Sequence, residues 1–293
     1  MNGRQASQRF RRALTSSWVF LATAGAGLAV MLVAPGQFAA GLKAAGQEIR
    51  PPLPGYKLSF DEEFDRLDLS ADGSGYHTWY EGVWFNPHHA PLSNILNASS
   101  ELSLVWTRNQ ISPDTSITTL SRDKQHHLTW RYGYFEARMK WDVVPGAWPA
   151  LWLLPIQDAT GEAINGNGVK ESGEADIFEG QGDQPHSFYG TVHDWVNLHD
   201  SASKNNHFSL ASTVDLSSYH TYGLLWSPGQ MTWYLDGEPL HSELTPAIFD
   251  HQDFFIVISM QAGADWKANN LAGVSASTMS LTMDWLRVWK RQI

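Results

Sequence analysis

Tyr134-Phe135-Glu136-Ala137-Arg138-Met139-Lys140 alternates apolar and polar side chains, as does Met231-Thr232-Trp233-Tyr234-Leu235-Asp236. A period of two sorts side chains onto the two faces of a strand, which no helix can reproduce. Short β-rich runs of this kind recur at Leu102–Trp106, Tyr132–Trp141, Ala150–Leu154, Tyr189–His193, Tyr222–Trp226, Met231–Leu235, Phe254–Met260 and Leu281–Trp289. From residue 51 onward there is no long 3.6-residue period and no internal repeat, and Asp236-Gly237 is a hairpin signal. Many short strands with regular turns require a sandwich or a barrel, and this length fits two large antiparallel sheets. The expectation is one all-β domain over residues 51–293.

Residues 1–50 read differently. Arg4, Arg9, Arg11 and Arg12 precede an uncharged apolar run from Trp18 to Val33, then Pro35-Gly36 and small residues around Ala39-Ala40-Gly41. That order is an export signal or, uncleaved, an N-terminal membrane anchor, and Pro51-Pro52-Leu53-Pro54-Gly55 follows as a stiff linker. The expected location is therefore periplasmic or extracellular, with membrane contact only through this segment.

The first 50 residues carry six of the 20 Lys and Arg but one of the 30 Asp and Glu, leaving 14 against 29. So acidic a body disfavours nucleic acid and strongly anionic polymers as partners. The absence of Cys excludes disulfides, Cys-ligated zinc and thiol nucleophiles. His88-His89 and His126-His127 lack zinc-ligand spacing to a third donor and read as solvated loops. Fourteen Trp suit a cleft that stacks flat apolar faces such as sugar rings, although many of these rings belong in a core.

Glu174-Ala175-Asp176-Ile177-Phe178-Glu179 sets three carboxylates in a strand-like stretch. At period two, Glu174, Asp176 and Phe178 share a face and Glu179 falls on the other; one β-bulge returns Glu179 to the first two acids. Paired carboxyls on one face are what glycosidic cleavage needs, one to protonate the leaving oxygen and one to meet the oxocarbenium-like carbon. The bland alternative is a solvated edge strand, where acids oppose aggregation.

From about Tyr56 to the C-terminus the chain resembles glycoside hydrolase family 16, the laminarinase, agarase and lichenase group. The resemblance rests on that acidic motif and on the order of weaker blocks: Glu63-Phe64-Asp65, Tyr132 to Arg138, Gly146-Ala147-Trp148-Pro149-Ala150-Leu151-Trp152, Thr191-Val192-His193, Trp233 to Gly237 and Met283 to Val288. It implies a concanavalin A-like β-jelly-roll sandwich with a concave glycan-binding cleft. It implies further that Glu174 is the nucleophile, Glu179 the general acid/base and Asp176 the helper between them. Trp148 becomes a sugar platform with Trp152 next in line, and His193 a cleft residue touching sugar or a catalytic carboxylate. Glu63 and Asp284 match positions near a structural calcium site; no cofactor is expected in catalysis.

The expected protein is thus an exported, monomeric, retaining endo-glycosidase on a neutral polysaccharide, first of all β-1,3-glucan. A galactan or agarose hydrolase, a transglycosylase, a lectin-like binding protein and a metalloenzyme using Glu174, Asp176, Glu179 and His193 are the alternatives.

Overall fold

The computed structural model describes residues 52–292 apart from 87, 158–169, 197–198, 201–202, 265–266, 269–270 and 272–273. The N-terminal export or anchor segment lies outside the described residues. In chain order the strands begin with β1 (Tyr56–Glu62), β2 (Leu69–Ser70), β3 (Trp79–Glu81), β4 (Ile95–Ala98), β5 (Glu101–Thr107) and β6 (Asp114–Thr118). Next come β7 (Gly133–Trp141), β8 (Ala147–Pro155), β9 (Glu171–Gly180), β10 (Ser187–Val196), β11 (His199–Asp200) and β12 (Lys204–Ser209). The last are β13 (His220–Ser227), β14 (Gln230–Leu235), β15 (Glu238–Leu244), β16 (Phe254–Ala264), β17 (Lys267–Ala268) and β18 (Thr278–Arg291).

They form two sheets. One runs β15-β14-β13-β7-β18-β5-β4, with β1 beside the C-terminal half of β18. The other runs β11-β10-β9-β8-β16-β6-β3-β2, with β12 on β10 and β17 on β16. All pairings are antiparallel except the short β2–β3 pair. The predicted turn at Asp236-Gly237 joins β14 to β15, both residues having positive φ as a two-residue hairpin demands.

Alternation sets the core. Phe135, Ala137, Met139 and Trp141 of β7 point inward with Tyr222, Leu224 and Trp226 of β13. They meet Phe178, Phe188 and Phe254 from the other sheet, with ring centroids 4.4 Å apart for Phe178–Tyr222 and 4.9 Å for Trp226–Phe254. Burying such rings drives the two sheets together. β9 lies in the interior of its sheet between β8 and β10, so its acids are not the protective charges of an edge strand.

The bulge in β9 is present. Asp176 faces Thr191 and Glu179 faces Tyr189, so three steps on β9 match two on β10. Against β8, Asp176 and Phe178 face the adjacent Trp152 and Leu151. Ile177 and Phe178 both enter the core, which frees Glu179 to rejoin the face of Glu174 and Asp176. A bulge interrupts the ladder, and here the opposite sheet helps to hold it: Trp233 Nε1 donates to the Asp176 carbonyl at 2.9 Å. Gly190 makes room for that indole, because a Cβ at Gly190 would overlap it. Trp233→Phe is therefore expected to lower unfolding free energy by about 1–3 kcal/mol, by orphaning a buried carbonyl. Gly190→Ala should cost at least as much through overpacking, roughly 1–3 kcal/mol before backbone shifts. Denaturant unfolding checks both, and both should lower turnover by disturbing the bulge.

Candidate active site

The face of the second sheet turned away from the core carries the site. β9 supplies Glu174, Asp176 and Glu179; Asp176 is 2% exposed, while the two Glu are half-buried. Glu174, Asp176 and His193 each bring a ligand atom within 4.8 Å of the others. His193 stands opposite Glu174 on β10. Its Nε2 lies 3.1 Å from Asp176 Oδ2, and its Nδ1 lies 2.9 Å from Ser203 Oγ. Of the two contacts expected for His193, the structure supplies the carboxylate.

Each Glu has an indole donor. Trp195 Nε1 donates to Glu174 Oε2 at 2.7 Å, and Trp148 Nε1 donates to Glu179 Oε1 at 3.1 Å. Trp148, expected as a sugar platform, therefore holds a carboxylate. Trp152 stands opposite Asp176 on β8 and donates to Ser259 Oγ at 3.2 Å. Trp152 and Trp195 line a cavity of about 300 Å³ with Phe85, Leu154, Lys170, Ser172 and Glu174. That volume is at the small end for ligand pockets.

Sequence reasoning missed Trp195, Ser203 and Phe85. Trp195 was within reach, since it sits two residues beyond His193 and so shares its face. Phe85 lies outside any strand, more than half exposed, and no periodicity marks it.

Burial raises all three carboxyl pKa values. For Glu174 the charge of Asp176 adds to burial, while His193 and the Trp195 N–H oppose it. For Asp176 burial is opposed by a hydrogen bond from Glu179. Glu179 is held well above the ordinary carboxyl value by burial and then by Asp176. Burial thus favours the protonated form of Glu179, and at Glu174 the Trp195 N–H and His193 partly offset the same upward push. Asp176 stands between the two Glu residues and hydrogen-bonds with Glu179.

Asp176→Asn removes the charge that raises both Glu residues. Both limbs of the pH profile should move to lower pH, by roughly one unit, with KM nearly unchanged. A profile that stays in place, or moves to higher pH, would show that Asp176 does not set these protonation states.

The other expected ligands fall elsewhere. Glu63 follows β1 and accepts a hydrogen bond from Arg287 Nη2. Asp284 is the bulged residue of β18 and accepts from Arg138 Nη1 at 2.7 Å. Calcium at these carboxylates would have to compete with two guanidinium groups, whose charge opposes a divalent cation. His89 pairs with Glu81 at 2.8 Å and His126 lies against Tyr76 with the rings tilted by 44°, so the two histidine pairs make different contacts.

The profile of Glycosyl hydrolases family 16 matches residues 96–287, a stretch that includes all three acids. Glucan endo-1,3-beta-glucosidase A1 of Niallia circulans is 24% identical over 279 residues, covering 84% of this chain but only 40% of that protein. Beta-glucanase of Rhodothermus marinus is 27% identical over 265 residues, covering 85% of this chain and 91% of its own length. The fold is like that of the laminarinase catalytic domain of Thermotoga maritima MSB8. The TM-score is 0.64 at 22% identity, and the match covers 81% of this chain and 99% of that one. With the profile spanning well over half of the sequence and the acidic motif on its bulged strand, the chain belongs to glycosyl hydrolases family 16.

Proposed function

We propose that this glycoside hydrolase cleaves internal bonds of a neutral β-glucan, β-1,3-linked in the first instance, with retention by double displacement. The observation that carries the reading is the bulge that gathers Glu174, Asp176 and Glu179 on one face of an interior strand. The names borne by the relatives, a glucan endo-1,3-beta-glucosidase and a beta-glucanase, favour β-glucan over galactan.

In the first step a Glu174 oxygen bonds to the anomeric carbon. The bond to the leaving oxygen breaks, and the Glu179 proton moves to that oxygen. In the second step Glu179 takes a proton from water as the water displaces Glu174. Trp195 and Trp148 fix the two carboxylates while charge passes from Glu174 to Glu179.

Glu174, Asp176 and His193 also form a group able to hold a metal. Hydrogen bonding favours the glycosidase reading, because His193 Nε2 faces Asp176 and Trp195 N–H faces Glu174. A panel of β-1,3-glucan, mixed-linkage glucan, agar and carrageenan, with product sizing and an EDTA arm, tests the proposal. Mixed oligosaccharides from β-1,3-glucan, insensitive to EDTA, are expected. Activity confined to agar, or abolished by EDTA and restored by metal, would overturn the substrate or the chemistry respectively.

The order of basic, apolar and small residues in the first 50 positions supports export. N-terminal sequencing of protein recovered outside the cytoplasm tests that separately.

A further inference from the structure

Thr191 stands on β10 in register with Asp176, two residues from Tyr189 on one side and His193 on the other. Directly opposed residues of an antiparallel pair project to the same face, so its side chain shares the face of the acids. It is fully buried, and its hydroxyl has no hydrogen-bond partner. An unpaired buried hydroxyl is costly, and valine would fill the same volume without it. The site therefore holds a spare donor beside its central carboxylate.

The catalytic cycle creates a need for one. In the resting site Asp176 accepts from Glu179 and faces His193 Nε2. When Glu179 gives its proton to the glycosidic oxygen, Asp176 loses that donor and gains a carboxylate neighbour. The negative charge that Glu174 gives up in bonding to carbon now sits on Glu179. Cβ atoms of opposed residues are about 4.5–5.5 Å apart, so rotation about one side-chain bond brings a Thr hydroxyl toward the facing carboxylate. We infer that Thr191 is a positioning residue that turns its hydroxyl onto Asp176 as Glu179 ionises. No bond to Thr191 forms or breaks and it keeps its proton; only its acceptor changes.

The charged and titratable groups around this pair are Glu174 and Glu179 along β9, Tyr189 and His193 along β10, and His207 of β12, which stacks on Tyr189 while Asn205 stands opposite Thr191. On the other side β8 presents Trp148, Ala150 and Trp152, none of which titrates. Thr191 thus acts on the ionised state of the acid/base.

The inference rests on Glu179 being the acid, and its test compares Thr191→Val with Thr191→Ser. Thr191→Val should lower kcat/KM on β-glucan about tenfold and move the basic limb about one unit to higher pH. On an aryl glycoside whose leaving group needs no protonation, kcat/KM should change by less than about twofold. Thr191→Ser keeps the O–H and should restore both the limb and the rate. An unmoved basic limb in Thr191→Val would overturn the inference. So would equal losses on both substrates, or a Thr191→Ser variant as impaired as Thr191→Val, which would mark a packing role. The acid assignment is tested separately by Glu179→Ala, so failure of the Thr191 arms with that result intact sinks this inference alone.

Discussion

Glu174→Ala is expected to lose hydrolysis of β-glucan by roughly 10⁴–10⁶-fold, the scale seen when a covalent nucleophile is deleted. Azide should then restore turnover of an activated glycoside. The methyl side chain leaves a space beside the anomeric carbon, and a small anion can attack from the side the carboxylate occupied. One displacement replaces two, so the glycosyl azide should have inverted configuration. Trp195 remains to donate an N–H toward that space, which favours an anion there. Loss of activity without rescue, alongside unchanged folding, would leave the nucleophile unassigned; rescue with retained configuration would move that role to Glu179.

Glu179→Ala should fail by a different route. Without a proton donor, bonds to poor leaving groups should slow by about 10²–10⁴-fold, while a dinitrophenyl glycoside should still form the glycosyl-enzyme. Azide then attacks that intermediate without needing a general base and gives product of retained configuration. The Trp148 N–H and Asp176 carboxyl that hold Glu179 lose their partner, so binding should change little compared with the rate. If activated and unactivated substrates lose equally, Glu179 is not the acid.

Much of this site could be read from six residues. The spacing of Glu174, Asp176 and Glu179 already demanded one extra residue in the strand if the acids were to meet, and β9 has it. His193 came from the family resemblance, on a β-rich run that follows the acids, and the alternation of that run reaches Trp195. What holds the bulge was not legible. Trp233 comes 57 positions after Asp176, on the other sheet, and only the packing of the sheets brings its N–H to that carbonyl. Gly190 likewise has no mark in the sequence beyond being Gly.

Strand recognition followed the same physics. The eight predicted runs all lie in strands, shifted only at their ends: Leu281–Trp289 lies within β18 and Ala150–Leu154 within β8. β1 alternates as strictly as the strands that were recognised and still went unread, its apolar face being only partly buried; other missed strands lacked the alternation that burial on one face produces. β6, Asp-Thr-Ser-Ile-Thr, is buried on both faces and mostly polar; Ile117 packs in the core while Asp114 and Thr115 are hydrogen-bonded. β15 is an exposed sheet edge with no buried residue to betray it.

Double displacement makes two substitutions at one carbon, with Glu174 bonded to the sugar between them. The most direct test follows the anomeric protons of newly formed reducing ends by NMR, in the first minutes of wild-type action on β-1,3-glucan. The β-anomer should appear first, with the α-anomer growing only as mutarotation proceeds. New ends appearing as the α-anomer would mean a single displacement by water, and Glu174 could not be the nucleophile.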